Sequence, residues 1–327
     1  MPGIAGTVTT FNSPNYVGEL FQISPTDTPL LSAIGGLTGG ESVEAVLFTW
    51  STTDLRAADE TRQRLEGADA PSPEGRSRAA AYNVVEVHQE ALAVSYTKLA
   101  ARGQYASTGA PAGTNAVSLA EAAQTDELAF QVRAHLLQIA RDIEKGFIMG
   151  TFQHPADNLT PRKTRGLLSA IATNVVTNGT PAALTELMVN NLAQAAFDAG
   201  GIQYGETRTI ITNSIQKRNL TKLFLKDHNI NPTEANVGGV RVDTIMTDFG
   251  RFNIMLDRYM PQDQLAIVSL DELAPVFLRI PDKGFLFVEP LAKTGSAEKF
   301  QIYGEVGLNY GNERSHAKIT GLTTTVL

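Results

Sequence analysis

Apolar residues recur at every third or fourth position between residues 128 and 147. The members of this stripe are Leu128, Val132, Leu136, Ile139, Ile143 and Phe147. Such spacing places them on one face of an α-helix. Ser118 and Glu121 have the spacing of a capping box, and Gly150 follows as a stop. The pattern therefore predicts a helix over residues 118–150, on the order of 45 Å long at about 1.5 Å per residue.

Two strand-like runs flank a polar segment in the first third of the chain. Residues 43–51 and 82–97 contain many β-branched and aromatic side chains, which favour strands. Residues 56–78 between them are polar and charged, with Leu65 as the large apolar residue in their middle. We therefore predict a long two-stranded hairpin over residues 43–97, with arms of about 15 residues that reach on the order of 50 Å.

The apolar positions of the second run change parity along the strand. Val85 and Val87 would lie on one face, whereas Leu92 and Val94 would lie on the other. One extra residue in a strand moves all later side chains to the opposite face. The pattern therefore predicts a bulge or strong twist near Gln89.

The predicted hairpin needs a surface to rest on. An isolated two-stranded ribbon is marginally stable in water and has open edges, so we expect it to lie on a neighbouring subunit. Residues 1–42 are rich in Gly, Thr, Pro, Asn and Ser with short apolar clusters, and they predict an arm that docks on another surface. The expected inter-subunit contacts are Trp50, Arg56, Arg62, Arg64, Glu66, Arg76 and Arg78 of the hairpin, and Leu30 and Leu31 of the arm.

The second half of the chain mixes helices with a strand-rich tail. Thr180 and Pro181 fit an N-cap followed by a helix to about Ala199, which the glycines at 200 and 201 end. A strand at 207–212, a helix at 214–226 and several strands between residues 241 and 326 follow. This order predicts an α+β fold rather than a regular βαβ repeat.

Composition excludes several kinds of chemistry. The 327 residues carry a net charge of −7, which does not suit a protein whose main task is to bind phosphates, so nucleic-acid contact should be local or weak. The absence of cysteine excludes thiolate catalysis, iron–sulfur clusters and Cys-based zinc sites. The five histidines have no metal-ligand spacing, and there is no phosphate-binding glycine motif. We therefore predict no cofactor, no metal and no catalytic site, and thus no enzyme.

Three stretches of the chain carry a family resemblance. They are PRKTRGLLSAIATN from Pro161, TDFGRFNIMLDRYMP from Thr247 and EPLAKTGSAEKFQIYGEVGLNYGNERSHAKITGL from Glu289. Together with the order of arm, hairpin, long helix and mixed region, they resemble the phage SU10-type major capsid proteins, which have the Hong Kong 97-type fold. The resemblance covers nearly the whole chain, and its specificity comes from the ordered set rather than from one motif.

The resemblance implies a domain plan and a function. The parts would be an N-terminal arm (1–42), an extended loop (43–97), a peripheral domain (98–183) with a spine helix at about 118–150, an axial domain (184–275) and closing strands of the peripheral domain (276–327). Copies would self-assemble into hexamers and pentamers of an icosahedral head that encloses double-stranded DNA. The protein would be part of the virion and would assemble in the bacterial host cytoplasm.

The resemblance also implies partners. We expect a separate scaffolding protein, a portal protein and a decoration protein, with weak, non-specific contact to the packaged DNA and no contact with a membrane. Some relatives crosslink a lysine of the extended loop to a neighbouring asparagine. The first lysine of this chain is Lys98, so a lysine crosslink from residues 43–97 is chemically impossible.

Two other functions stay open at this point. An encapsulin-like compartment would use the same fold to enclose enzyme cargo. A serine hydrolase is a remote alternative, because the Lys293-Thr294-Gly295 triplet can be paired with an S-x-x-K motif at Ser95–Lys98 or Ser214–Lys217. A plain β-turn between Leu291 and Phe300 explains the triplet equally well.

Two basic clusters also allow more than one interpretation. They are Arg162, Lys163 and Arg165, and Lys217, Arg218, Lys222 and Lys226. Each would contact packaged DNA, form a charged seam with a neighbouring subunit or be a solvated face.

Overall fold

A computed structural model describes residues 26–100, 127–202, 208–228, 233–237, 240–293 and 295–325. The helices are α1 (Pro29–Ala33), α2 (Tyr96–Ala100), α3 (Glu127–Met149), α4 (Leu167–Ala170), α5 (Glu186–Asp198) and α6 (Ser214–His228). The strands are β1 (Glu41–Val43), β2 (Leu47–Thr53), β3 (Arg78–Val84), β4 (Glu86–Ser95), β5 (Val175–Ala182), β6 (Arg208–Thr212), β7 (Thr233–Val237), β8 (Val240–Thr247), β9 (Gly250–Leu256), β10 (Leu265–Ser269), β11 (Ala274–Leu278), β12 (Leu286–Pro290), β13 (Ala297–Asn309) and β14 (Ala317–Leu322). Within these ranges, none of the helices combines the length and the hydrophobicity that a membrane crossing needs.

The described residues fall into two compact units. The larger contains residues 28–87, 143–285 and 305–325, and the smaller contains residues 26–27, 88–142 and 286–304, apart from the gaps given above. In the smaller unit, β13 pairs with β12 and with β4.

The larger unit is built on a seven-stranded sheet in the order β5, β14, β10, β6, β9, β8, β7. Its β5–β14 and β6–β9 pairs are parallel and the other pairs are antiparallel. Helix α5 packs on β14 and β10. The buried core of this face includes Val189, Leu192, Leu220, Ile210, Phe252, Ile267 and Ile319. Helices that pack on a mixed sheet confirm the predicted α+β class.

The hairpin is shorter than the sequence predicted. Among the described residues, strands β2 and β3 pair only with each other, from Leu47↔Val84 to Thr53↔Arg78, and each has 7 residues, which corresponds to about 24 Å. Strand β4 belongs to a different sheet, in which it pairs with β13. The prediction of one ribbon over residues 43–97 is therefore wrong beyond Val84.

The change of parity occurs at Val85 and not at Gln89. Val85 lies between the two strands, and its side chain is buried like that of Val84. From position 86 onward the burial alternates without interruption, with Leu92 and Val94 buried. The strand therefore changes sheets at Val85, and this change, rather than a bulge, moves the apolar side chains to the other face.

Helix α3 confirms the end of the predicted spine helix. It stops at Met149, directly before Gly150, whereas its predicted start at Ser118 and most of the predicted arm lie outside the described residues. Ile139, Ile143 and Phe147 of the apolar stripe are buried.

Helix α5 begins later than predicted. Thr180 and Pro181 belong to β5, at the edge of the seven-stranded sheet, where a proline is tolerated because one side of the strand has no ladder partner. Thr185 is the N-cap instead, and its side chain accepts a hydrogen bond from the Met188 N–H. The predicted stop is correct, since Gly200 follows with φ +89. Strand β6 and helix α6 match their predicted positions.

Candidate assembly interface

Residues 54–77, called the ribbon loop here, connect β2 to β3 without any helix or strand, and all of their side chains are exposed. Even the two leucines face water, with Leu55 75% and Leu65 86% exposed. A segment this polar cannot stabilise itself by burial. The ribbon, defined as β2, β3 and this loop, thus presents a large surface that the described part of its own chain does not cover.

Ion pairs connect the two sides of the ribbon loop. The Arg62 Nη2 lies 2.9 Å from one oxygen of Glu74, and the Arg76 Nη2 lies 3.2 Å from the other. The hydrogen bond from Arg62 lowers the pKa of Glu74, and its charge and the Arg76 contact act in the same direction. Because these side chains are exposed, the pairs shape the loop more than they stabilise the protein.

Most of the predicted contact residues lie on this surface. Arg56, Arg62, Arg64, Glu66, Arg76 and Arg78 are all exposed on the ribbon. Trp50 is different, because its indole N–H donates a 2.7 Å hydrogen bond to the Gly311 carbonyl of the same chain. Its ring also meets Tyr310 edge to face, with centroids 4.8 Å apart.

Leu30 and Leu31 do not lie on an outer surface, and the prediction that they contact a neighbour is wrong. Both side chains are buried in the protein's own core, at 0% and 2% exposure. The amide N–H groups of both residues donate 2.7 Å hydrogen bonds to the two carboxyl oxygens of Glu144 on α3. These are N–H groups that the first turn of a helix leaves without a partner. In the sequence, Glu144 directly follows Ile143 of the apolar stripe, as Asp142 directly precedes it, so the pattern does not single out Glu144.

Asn83 anchors the root of the ribbon, a role that the sequence analysis missed. Its side chain is fully buried and donates hydrogen bonds to the carbonyls of Leu308 (2.7 Å) and Arg165 (3.1 Å). Its side-chain oxygen accepts the Arg165 amide N–H at 2.8 Å. Phe48, on the opposite strand, packs with Val85 and Val276 in a small buried cluster. The direction in which the ribbon leaves the larger unit is therefore set by buried contacts.

The two arginines of the first basic cluster make contacts within the chain. Arg162 forms a 2.9 Å ion pair with Glu305. The Arg165 guanidinium lies 5.5 Å from the Tyr82 ring centre and 4.7 Å from that of Phe152, and it donates a hydrogen bond to the Tyr310 hydroxyl. These contacts favour a structural role for Arg162 and Arg165.

The second basic cluster lies on α6. Arg218 and Lys222 are exposed there, and Lys217 is half-buried. The side chain of Lys226 lies outside the described residues. Both clusters therefore include exposed basic side chains, which are Lys163 in the first and Arg218 and Lys222 in the second.

The K-T-G triplet sits at the turn between β12 and β13. The Leu291 N–H donates to the Lys299 carbonyl at 2.8 Å, and Gly295 has φ +77. Thr294 lies outside the described residues. The Lys293 ammonium pairs with Glu298 at 3.2 Å, and the hydrogen bond from that carboxylate raises the pKa of Lys293. A lysine held in its charged form is unsuited to act as a general base.

Metal binding has no support in the described part of the chain, where no three His, Asp or Glu side chains converge.

Comparison with known proteins gives a consistent family match. The model of the family described as SU10 major capsid protein matches residues 3–323. The major capsid protein of Escherichia phage Phieco32 is 24% identical over 346 residues, which cover 91% of each chain.

Solved structures with the same fold include phage capsids and an encapsulin. The chain resembles the capsid protein of cyanophage A-1(L) with a TM-score of 0.64 at 14% identity, covering 96% of this chain and 98% of that one. It resembles the holo-SrpI encapsulin of Synechococcus elongatus PCC 7942 with a TM-score of 0.60 at 10% identity, covering 97% and 94%. Identities this low carry the fold alone, and the phage capsids among these structures confirm the predicted Hong Kong 97-type class.

Proposed function

The chain belongs to the SU10 major capsid protein family, and on that premise we propose that its copies form the hexamers and pentamers of an icosahedral head around double-stranded DNA. The role of a tailed-phage major capsid protein follows from the family, and it makes the chain a component of the virion. The finer proposal depends on one observation, which is the ribbon that leaves the core with an uncovered loop.

The ribbon has the features of an arm that one subunit lays on another. Its root is held by the buried Asn83, whereas residues 54–77 are entirely exposed. A two-stranded ribbon is marginally stable in water, and a second surface would cover its open edges. We expect the contacts to involve Arg56, Arg62, Arg64, Glu66, Arg76 and Arg78. Their mixed charges would set the register of the contact more than its strength.

The proposed domain plan assigns the subunit surfaces to different contacts. Residues from about 184 to 275 would form the axial domain, which meets its copies around five- and six-fold positions. The peripheral domain would comprise residues 98–183 and the closing strands 276–327. Closed symmetry needs such repeated contacts between identical surfaces.

Other partners belong to the same proposal. A scaffolding protein and a portal protein would guide assembly in the bacterial host cytoplasm, and a decoration protein would bind the finished shell. The net charge of −7 supports only weak contact with DNA. Arg218 and Lys222 on α6 would be the basic residues that provide it.

Electron microscopy of the purified protein, alone and with its scaffolding partner, tests the proposal. We expect closed shells of uniform size with capsomers of six and five subunits. A protein that stays monomeric under every assembly condition, with a folded core by circular dichroism, would contradict it.

An encapsulin-like shell is the alternative that shares the fold. The family match favours the phage head, since the likeness to the encapsulin extends only to the fold. The genes next to the coding sequence distinguish the two, because portal and terminase genes accompany a phage head and a cargo-enzyme gene accompanies a compartment.

The proposed role requires no catalysis by the subunit. Lys293, on which a hydrolase would depend, is exposed and paired with Glu298. We expect Lys293→Ala to assemble like the unmodified protein. Hydrolysis of an acyl substrate that Lys293→Ala abolishes would restore the enzymatic alternative.

A further inference from the structure

The two faces of the ribbon each carry one aromatic ring close to its root. Trp50 pairs with Ala81, and the side chains of residues paired in an antiparallel ladder share a face. Tyr82 is the next residue of β3, so its side chain points to the opposite face. The two rings thus lie on opposite faces at nearly the same distance along the ribbon.

One series of contacts connects these two rings. The Trp50 ring meets Tyr310 edge to face, with centroids 4.8 Å apart. The Tyr310 hydroxyl accepts a 3.1 Å hydrogen bond from the Arg165 guanidinium, which lies 5.5 Å from the centre of the Tyr82 ring. These four residues, called the clamp here, therefore link one face of the ribbon to the other, and all of them belong to the larger unit.

Further contacts hold both ends of the clamp. The Trp50 indole N–H donates a 2.7 Å hydrogen bond to the Gly311 carbonyl. At the other end, Phe152 lies beside both remaining groups, with its ring centre 4.7 Å from the Arg165 guanidinium and 5.5 Å from the centre of the Tyr82 ring. Each member of the clamp thus contacts at least two other residues, which restricts its movement.

The clamp is the outermost support of the ribbon in the described part of the chain. There, the hydrogen bonds and ion pairs of residues 51–80 all stay within the ribbon. A cleft of about 650 Å³ lies directly beyond the clamp, between Thr52 and Ala79 on one side and residues 310–314 on the other. Open space rather than packed side chains therefore flanks the ribbon beyond Trp50.

The angle of the ribbon matters most far from its root. Thr53 lies five residues beyond the buried Phe48, which corresponds to about 17 Å of strand. A tilt of about 10° at the root would displace Thr53 by about 3 Å. Because hydrogen-bond lengths vary by only about 0.5 Å, such a tilt would break polar contacts between the ribbon and a neighbouring molecule.

We propose that the clamp fixes the angle at which the ribbon leaves the larger unit, and that Trp50, Tyr82, Arg165 and Tyr310 are positioning residues for shell assembly. The consequence for assembly rests on the proposed shell function, whereas the fixed angle is a property of the single chain. Tyr310 is only 4% exposed, so it offers almost no surface to a neighbouring subunit. Its effect on assembly must therefore act through the ribbon.

Two conservative substitutions open the clamp. Tyr310→Phe keeps the ring that meets Trp50 and removes the hydroxyl that binds Arg165. Arg165→Met keeps an unbranched side chain and removes the guanidinium. The matched controls are Tyr96→Phe and Arg251→Met, which make the same changes at exposed positions outside the clamp.

Distances between two spin labels test the angle in the monomer. The chain has no cysteine of its own, so the labels are attached to Thr53→Cys, at the outer end of β2, and to Leu187→Cys, an exposed position on α5. Both positions belong to the larger unit. Each clamp variant should widen the distribution of distances about twofold, and each control should leave it unchanged. An equal width in all of these proteins would overturn the inference, whether or not shells form.

The yield of shells tests the consequence for assembly. Tyr310→Phe and Arg165→Met should each form about tenfold fewer closed shells than their controls at the same protein concentration, while their monomers unfold at nearly the same temperature as the controls. Wider distances with a normal yield of shells would overturn the positioning role. A loss of yield that only parallels a loss of folded monomer would also overturn it. If the unmodified protein forms no shells, the proposed function fails, and the label distances still decide whether the clamp fixes the angle.

Discussion

The carboxyl group of Glu144 lies near that of Asp257 in the interior of the protein, where the negative charge of Asp257 opposes ionisation of Glu144. Glu144 lies on α3 and Asp257 follows β9, and both side chains are fully buried. Burial raises the pKa of Glu144 to about 9, and the neighbouring Asp257 carboxyl group acts in the same direction, whereas the hydrogen bonds from the Leu31 and Leu30 N–H groups lower it. Glu144 is therefore protonated at neutral pH and connects α1 to the core as a neutral acid.

This pair makes the protein sensitive to alkaline pH. The pKa of Glu144 is above its ordinary value of 4.5, so the folded state holds a proton that the unfolded state releases. The contribution to the free energy of unfolding is complete below pH 4.5 and falls as the pH rises to about 9, by at most about 1.4 kcal/mol per pH unit. Asp257→Asn removes the neighbouring charge and supplies an amide donor, which should lower the pKa of Glu144 and flatten this decline.

Urea unfolding at several pH values between 5 and 9 checks the Glu144 prediction, with Asp248→Asn as a control that changes the net charge equally at an exposed position. The prediction is wrong if the free energy of unfolding of Asp257→Asn falls with rising pH as steeply as that of the unmodified protein.

His316 should make the free energy of unfolding fall as the pH decreases, whereas Glu144 makes it fall as the pH increases. Its ring is fully buried, with Nε2 3.0 Å from the Tyr310 carbonyl and Nδ1 accepting the Ser269 N–H. Burial lowers the pKa of His316 below its ordinary 6.5. Below about pH 6.5 the unfolded state therefore binds a proton that the folded state does not, so the free energy of unfolding falls as the pH falls.

His316→Gln should make the free energy of unfolding fall less as the pH decreases. It should also lower stability at pH 7, because it disturbs the hydrogen bonds of His316 with Ser269 and Tyr310. The control is His154→Gln, at an exposed position. Thermal unfolding between pH 5 and 7.5 measures the effect. An acid decline that is the same in all three proteins would exclude His316 as its source.

Loss of the Asn83 side chain should loosen the ribbon. Asn83→Ala leaves the carbonyl of Leu308 and the amide N–H of Arg165 without their partners in a buried site. The expected loss is about 3 kcal/mol in the free energy of unfolding. Asn158→Ala, in an exposed loop, should change it by less than about 0.5 kcal/mol. Denaturant titration compares the two variants, and equal values would refute the role of Asn83 as an anchor.

Removal of the ribbon loop should separate assembly from folding. Replacing residues 55–76 by Asn-Gly joins β2 to β3 through a turn that suits a two-residue hairpin. Because the loop buries nothing in its own chain, the monomer should unfold at nearly the same temperature. Shells should no longer form, as judged by sedimentation and electron microscopy. Normal shells from this variant would show that the loop is dispensable for assembly.

The sequence by itself determined those elements whose pattern is local. The apolar stripe of α3, the stop at Gly150, strand β6 and helix α6 follow from spacing and capping within a few residues. The exposure of the ribbon loop was also predictable from the sequence, because a segment with almost no large apolar residue cannot build a core. The family resemblance came from three quoted stretches and was confirmed by a match over residues 3–323.

Only the tertiary structure decided which distant segments meet. The sequence around Leu30 and Leu31 would read the same whether these residues faced a neighbouring subunit or Glu144. Their partner Glu144 lies more than a hundred positions away in the chain. The exchange of sheets at Val85 depends on the pairing of β4 with β13, and the anchoring role of Asn83 depends on Leu308. Such contacts arise from the packing of whole elements, so a pattern that spans a few residues carries no information about them.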